Sequence, residues 1–325
     1  MISKALTLKK FSFLTVLTLY LLAGCSTEED KTKQSKTEQK IESTVESTYT
    51  VTHNEQTFTV ENYEEEMRTF LMEARESPLE REALYREIVH NKLRNQGVNY
   101  DQLEYLMFAA PTNLGNFEKS LDKLNERKKE IDQAVEEALT DSAGLLLGED
   151  KTVHILPALP EETLAMEAVN FVTGIVFSKE ALFIFIDPRA PIDVIKHTVA
   201  HEYHHTIYME LAEDSSEDLL EYSIIEGKAD SFAKLLYPDV EIPWTEPMTE
   251  DEKATVLPLF MDHRNSTDGE IITTFRNGDY AQGIPTWSTY KLGYEWVQDY
   301  LANHPDLSVL EWTKLNQEEF LPVKE

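Results

Sequence analysis

A single predicted helix concentrates the side chains that most restrict how this chain can fold. Residues 191–211 begin with Pro191, which the first turn of a helix tolerates, and contain the sequence His201-Glu-Tyr-His-His205. Because residues four apart lie on one face of a helix, His201 and His205 can offer imidazole nitrogens to the same zinc ion. Uncharged residues before and after the motif suit a helix that packs against a sheet. The segment therefore predicts a metal site on a packed helix.

Glu202 is the candidate general base of this site. It lies about 100° around the helix from His201, close enough to reach a metal-bound water without binding the metal itself. A carboxylate at that position can take the proton of the water. The motif thus offers two ligands and a base, whereas a zinc site with one open position for water needs a third ligand.

The third ligand is expected on a second helix, within the sequence Ile224-Ile-Glu-Gly-Lys-Ala-Asp230. Glu226 would complete a site of two histidines and one glutamate. Asp230 lies four residues later on the same face and could hold the free ring nitrogen of a zinc histidine. Glu217 and Glu221 are alternative ligands, in which case Glu226 would be a surface residue. Only Glu226 fits the spacing to Asp230.

Two other histidines of the first helix are less easily assigned. His197 lies one turn before His201 on the same face, so that it either supports the metal site from behind or packs between helices. His204 points away from the metal face and is expected to be structural.

With these motifs the chain resembles the gluzincin metallopeptidases, in which H-E-x-x-H is followed by Glu-x-x-x-Asp. More narrowly, H-E-Y-H-H with a downstream Glu-Gly-x-Ala resembles a family of predicted zinc-dependent proteases of Gram-positive-type bacteria. The resemblance covers residues 140–320 and implies zinc-dependent hydrolysis of a peptide or protein substrate. It implies His201, His205 and Glu226 as ligands, Glu202 as base and Asp230 as the support of a ligand. The implied fold is α+β and zincin-like, with a small sheet, the active-site helix and C-terminal helices.

A hydrolase of this type also needs a donor for the oxyanion that develops on the scissile carbonyl. Tyr290 and Tyr294 are the candidates, on a predicted C-terminal helix that runs to about Ala302, and His263 is a third. Similar Tyr-x-x-Gly-Tyr stretches occur in the family that the chain resembles. The alternative is that both tyrosines belong to the core.

The N-terminal segment predicts export and lipid anchoring. Basic residues precede an apolar stretch from Phe11 to Ala23, which is too short to cross a bilayer comfortably and typical of a signal peptide. The stretch ends in Leu22-Ala-Gly-Cys25, which looks like a lipobox. Residues 1–24 would then be removed and Cys25 lipidated, placing the protein on the extracytoplasmic face of the cell membrane. The alternative is an ordinary secretory peptide with an incidental cysteine.

The remaining chain divides into three predicted regions. Residues 25–47 are almost without apolar side chains and predict a disordered tether. Residues 48–140 predict a hairpin around residues 54–56, two helices divided at Pro78, and one helix over about 116–139. Residues 141–325 predict the zincin-like domain, with strands at 153–157, 174–177 and 182–186 before the active-site helix.

Composition excludes several other classes of protein. Acidic residues outnumber basic ones by 60 to 30, which argues against binding of nucleic acid. A lone cysteine excludes a disulfide framework, a zinc finger and an iron–sulfur cluster. Two rival hypotheses remain open: a non-catalytic surface lipoprotein that binds metal or peptide, and a zinc protein whose acidic helical half is a regulatory or partner-binding module. The sequence predicts neither the substrate nor the oligomeric state.

Overall fold

The computed structural model describes residues 47–99, 101–212 and 216–322. The predicted signal peptide, Cys25 and all but the last residue of the predicted tether lie outside these ranges. Among the helices within them, none combines the length and the apolar character that a membrane span requires.

Five strands form one mixed sheet at the centre of the structure. In chain order they are β1 (Thr48–His53), β2 (Gln56–Asn62), β3 (Lys151–Pro157), β4 (Val172–Ser178) and β5 (Ala181–Ile186). The spatial order is β1-β2-β3-β5-β4, with the two outer pairs antiparallel and the two inner pairs parallel. The predicted hairpin around residues 54–56 is confirmed, and it turns at Asn54, whose φ is +52°. At the other side of the sheet, β4 pairs only with β5. β4 is therefore an edge strand.

Helices make up most of the other described residues. Their bounds are α1 (Glu64–Glu76), α2 (Arg81–Tyr85), α3 (Asn91–Asn95), α4 (Leu114–Glu126), α5 (Lys128–Leu145), α6 (Thr163–Ala168), α7 (Ile192–Leu211), α8 (Leu219–Leu236), α9 (Glu250–His263), α10 (Gly269–Asn277), α11 (Ser288–Asn303) and α12 (Val309–Lys314). Residues of the helices from α8 to α11 form a separate core without residues of the sheet. The molecule is thus a mixed α+β structure with a small sheet and mostly helices, as predicted.

The prediction of one helix over residues 116–139 is wrong. The chain forms α4 and α5, with a break at Arg127, whose φ and ψ are −99° and 0°. The guanidinium of Arg127 donates hydrogen bonds to the carbonyl oxygens of Pro188 and Ala190, at 2.7 and 2.8 Å. The break is therefore stabilised by a long-range contact with the segment before α7, which helical periodicity does not reveal.

Both faces of the sheet are covered, as the side chains of β5 show. Leu182, Ile184 and Ile186 belong to a core shared with α5 and α7, whereas Phe183 and Phe185 belong to a second core shared with α1 and α4. Alternate residues of a strand point to opposite faces, so that β5 packs against helices on both sides. Because β1 and β2 pair into the same sheet as β3, the sheet crosses the predicted boundary near residue 140, and the division into domains stays a prediction.

Two glycines allow α8 and α11 to cross in direct backbone contact. A Cβ atom on Gly293 would lie 1.8 Å from the carbonyl oxygen of Ser223, and one on Gly227 would lie 2.2 Å from the carbonyl group of Gly293. No larger residue fits at either position unless the helices separate. The crossing fixes α8, which carries the predicted ligand Glu226, against the helix that carries Tyr290.

We expect the substitution Gly293→Ala to destabilise the protein by about 2–3 kcal/mol, because the added methyl group overpacks a backbone contact. Gly269→Ala is the matched control, since a Cβ atom at Gly269 meets no atom within 4 Å. The control should change the free energy of unfolding by less than about 0.5 kcal/mol. Urea unfolding followed by circular dichroism measures both. Equal stability of the two variants would contradict the close crossing.

Candidate metal centre

Three side chains from α7 and α8 converge on one point. The Nε2 atoms of His201 and His205 are 3.0 Å apart, and the Oε2 atom of Glu226 lies 3.2 Å from the first and 3.3 Å from the second. Within the described part of the chain these residues form the one group of three or more histidine, cysteine or acidic side chains that could hold a metal ion. The structure thus brings together the three residues predicted as ligands.

The dimensions of this triangle fit a tetrahedral zinc ion. Ligand atoms about 2.0 Å from zinc in a tetrahedral site are about 3.3 Å apart, close to the separations observed. Two imidazoles and one carboxylate also form the donor set of catalytic zinc sites that keep a fourth position open. Burial would raise the pKa of the Glu226 carboxyl, but His205 and His201 lower it below its ordinary range, so that the side chain is an anion.

Asp230 holds the other nitrogen of His201. Its Oδ1 atom lies 2.9 Å from Nδ1 of His201, and the indole Nε1 of Trp244 donates to both oxygens of the carboxylate at 3.2 and 3.1 Å. Asp230 is fully buried. A carboxylate in this position fixes the ring orientation and directs Nε2 toward the ligand cluster. This is the place that the sequence predicts for Asp230.

Glu202 is buried beside the cluster but outside it. The backbone of Gly174 on β4 lies against it, since a Cβ atom there would lie 2.5 Å from the Oε1 atom of Glu202. Burial raises the pKa of the Glu202 carboxyl, while His201 and His205 lower it, and the net shift is upward. A carboxylate with a raised pKa accepts a proton more readily, as a general base must.

The other two residues of the motif anchor α7 rather than bind metal. The hydroxyl of Tyr203 lies 2.9 Å from Oε1 of Gln56 and donates to the carbonyl oxygen of Leu146 at 2.6 Å. The ring of His204 stacks on Trp312, 20° from parallel, and does not belong to the ligand cluster. Burial lowers the pKa of His204 well below its ordinary value, so that the ring is neutral.

The alternative ligands lie elsewhere. Glu221 accepts hydrogen bonds from the hydroxyls of Tyr208 and Ser216, both at 2.9 Å, and from the backbone N–H of Glu217 at 2.7 Å. Neither Glu217 nor Glu221 belongs to the ligand cluster. Glu226 is therefore the carboxylate that the structure places next to the two histidines.

A cleft of about 1350 Å³, including open solvent, leads to the ligand cluster. Its lining includes all three ligands, Glu202 and residues 173–176 of β4. The lining also includes Tyr222, Tyr290, Trp287 and Arg276. An edge strand, the candidate base and the candidate metal site thus face the same open space.

Of the three candidate oxyanion donors, only Tyr290 lines the cleft. Its hydroxyl lies 3.3 Å from the hydroxyl of Tyr222. Burial, together with the negative charge of Glu226, raises the pKa of Tyr290 well above its ordinary value, so that it keeps its proton and can donate. Tyr294 is half-buried and does not line the cleft, and His263 is exposed at the end of α9.

His197 lies behind the cluster, in a side pocket that it shares with Trp244 and Trp287. Burial lowers its pKa to about 4, so that the imidazole is neutral at neutral pH. Its Nδ1 atom is buried without a hydrogen-bond partner among the described residues. Its role as a support of the site stays a prediction.

Sequence reasoning missed several residues of this site, among them Gly174, Trp244 and Arg276. Gly174 could have been suspected, because a glycine inside a strand often marks a close approach of another group. Trp244 and Arg276 lie outside any motif and reach the site from later segments of the chain, and no sequence signal identifies them.

Comparison with known proteins gives one match. The model of the family described as predicted Zn-dependent protease (DUF2268) matches residues 131–322, which include every ligand candidate and Glu202. Neither the curated proteins nor the solved structures contain a match. Since the family match spans more than half of the chain, the protein belongs to the DUF2268 family of predicted Zn-dependent proteases.

Proposed function

We propose that the protein is a zinc metallopeptidase with a zincin-like site in which His201, His205 and Glu226 bind the metal. The observation that carries the proposal is the convergence of these three ligand atoms, with separations of 3.0–3.3 Å, beside a buried carboxylate that does not join them. A site that only stores metal has no use for a base next to its ligands. The family description supports the same activity.

The residues of the cleft suggest how the reaction proceeds. A zinc ion held by the three ligands would activate a water molecule and polarise the scissile carbonyl. Glu202 accepts the proton of the attacking water and delivers it to the leaving amine. Tyr290 donates a hydrogen bond to the oxyanion, and Asp230 keeps the ring of His201 in its binding orientation.

The edge strand supports a peptide as the substrate. β4 is paired on one side only, by β5, and residues 173–176 line the cleft. An edge strand offers N–H and C=O groups to an extended chain, which can add to the sheet as a further strand. A peptide bound in this way would run past Glu202, because Gly174 brings the backbone of β4 directly against that side chain.

The proposed location is the outer face of the cell membrane, with a lipid on Cys25. The Leu-Ala-Gly-Cys25 sequence after a short apolar stretch supports this location. The acidic and polar residues that follow would act as a spacer between the membrane and the folded part.

We expect Glu202→Gln to lower the rate of peptide hydrolysis by about 10²–10⁴-fold while zinc stays bound, because the substitution removes the base and leaves the three ligands. The measurements are peptide cleavage and zinc content by elemental analysis. Glu126→Gln, at an exposed position of α4, is the matched control and should change neither. Full activity of a zinc-loaded Glu202→Gln protein would show that the mechanism is wrong, and a wild-type protein without metal would favour a non-enzymatic function.

The two tyrosines of α11 provide a matched pair. Tyr290→Phe should lower kcat by about 10²–10³-fold, because it removes a donor to the oxyanion, and should leave zinc content unchanged. Tyr294→Phe should change kcat by less than about twofold, since Tyr294 does not line the cleft. Steady-state kinetics of both variants tests the assignment, which is wrong if Tyr294→Phe is the more damaging substitution.

Metal removal should destabilise the folded protein. A chelator should lower the midpoint of thermal unfolding and added zinc should restore it. A free zinc concentration 100-fold above the dissociation constant adds about 2.7 kcal/mol to the free energy of unfolding. In His205→Gln the midpoint should no longer respond to zinc. His263→Gln, at an exposed histidine outside the cluster, should respond like the wild type. A zinc response that survives His205→Gln would place the metal elsewhere.

A further inference from the structure

Arg276 is the one lysine or arginine among the described residues that line the cleft. It lies in the last turn of α10, in the lining that also includes Tyr222 and Tyr290, and its side chain is exposed. The proposed mechanism assigns it no role. An exposed guanidinium in the same open space as the ligand cluster is therefore available to a bound molecule.

Arg276 forms no ion pair within 4 Å with any carboxylate of the described residues. Other arginines do: Arg68 pairs with Glu64 at 2.8 Å, and Arg189 pairs with Asp187 at 2.7 Å. The chain has two acidic residues for every basic one, so that partners are abundant on its surface. Arg276 therefore lacks a carboxylate partner because of its position in the cleft, and not because the chain has few acidic residues.

The neighbours of Arg276 are polar but uncharged at close range. Its Nε atom donates to Oδ1 of Asn277 at 3.2 Å, and the phenol of Tyr222 lies beside the guanidinium. A guanidinium has five N–H donors, of which the hydrogen bonds to Asn277 and Tyr222 use two. Donors of the terminal nitrogens therefore remain for a ligand.

The charge of the cleft favours an anionic group. Its lining carries the carboxylates of Glu202 and Glu226 and the guanidinium of Arg276, and a divalent metal ion would make the total positive. This sign is opposite to that of the whole chain, whose formal net charge is −30. A planar guanidinium binds a carboxylate through two parallel hydrogen bonds, which a lysine cannot do.

We propose that Arg276 binds a carboxylate of the peptide substrate and is a specificity-determining residue of this protein. The carboxylate belongs either to an acidic side chain or to the C-terminus of the peptide, and the two share the same chemistry. The proposal rests on peptide binding in the proposed function. It adds a preference that zinc, its ligands and the base do not provide.

Binding without cleavage tests this preference. The zinc-loaded Glu202→Gln protein is immobilised and presented with a randomised, N-acetylated octapeptide library, prepared once with free C-terminal acids and once with C-terminal amides. The bound peptides are identified by mass spectrometry. Enrichment of Asp and Glu in the amide library indicates an acidic side chain. Stronger retention of the acid library, without enrichment of Asp or Glu, indicates a C-terminal carboxylate.

Substitutions in the same background assign the preference to Arg276. Arg276→Gln should abolish it, and titration calorimetry with one selected peptide should show a Kd that is weaker by about 10- to 100-fold. The neutral counterpart of that peptide, with Gln or an amide in place of the acid, should bind equally to both proteins. Arg276→Lys keeps the positive charge but loses the planar guanidinium that can donate two parallel hydrogen bonds. Its affinity for the carboxylate peptide should lie between those of the parent protein and Arg276→Gln.

Arg86→Gln is the matched control. Arg86 is exposed, lies outside the cleft lining and forms no ion pair among the described residues, so that its substitution changes the net charge equally. This variant should keep the full preference. The proposal is wrong if the parent protein shows no preference for carboxylates, or if Arg276→Gln retains the preference.

The same peptides separate this proposal from the proposed function. If Glu202→Gln selects carboxylate peptides through Arg276 but the wild type cleaves none of them, hydrolysis is wrong and the assignment of Arg276 stands. If the wild type cleaves peptides regardless of carboxylates, the assignment of Arg276 is wrong and hydrolysis stands.

Discussion

The position of His201 between two carboxylates of α8 is the contact on which the candidate site depends. One ring nitrogen lies 2.9 Å from Asp230 and the other lies 3.2 Å from Glu226, so that a single imidazole joins α7 to α8 at both edges of its ring. The convergence of His205 and Glu226 depends on the same relative position of α7 and α8. A rotation or a shift of one residue in either helix would separate the ligands.

Each helix is held in that position by contacts away from the metal cluster. α7 packs against the face of β5 that carries Leu182, Ile184 and Ile186. Tyr203 donates a hydrogen bond to the carbonyl oxygen of Leu146, and Nε2 of His204 lies 3.1 Å from Oγ1 of Thr313. α8 is fixed by the backbone crossing with α11 at Gly227 and Gly293. The H-E-Y-H-H and Glu-Gly-x-Ala motifs therefore combine candidate ligands with residues that hold their helices in position.

Burial makes this arrangement costly without a metal ion. Glu202, Glu226 and Asp230 are each less than 10% exposed and lie within one region of the core. Transferring a carboxylate from water to the interior costs several kcal/mol unless opposite charge and hydrogen bonds offset it. Trp244 and His201 satisfy Asp230, but Glu202 and Glu226 gain most from a cation between the histidines. The acids that the sequence marks as functional are thus also those that a divalent ion would stabilise.

The sequence predicted those parts of the site that one helix or one short segment contains. Periodicity placed His201, Glu202 and His205 correctly on α7, and the spacing between Glu226 and Asp230 identified the face of α8 that meets it. It did not predict the break at Arg127, because that break depends on two carbonyl groups about 60 residues further along the chain. It also could not distinguish Tyr290 from Tyr294, since residues four apart share one helix face and only the tertiary structure shows which phenol lines the cleft.

The net charge of the chain likewise does not predict the charge of the cleft. A net charge of −30 predicts repulsion of anionic partners at distances comparable to the Debye length, about 8 Å at physiological ionic strength. At contact distance, however, the few side chains that line a cleft decide the sign of the field, because the Coulomb energy grows as the separation between charges falls. α10 brings Arg276 to a cleft whose other charged residues come from α7 and α8. An excess of acid over the whole chain is therefore compatible with a binding site that selects an acid.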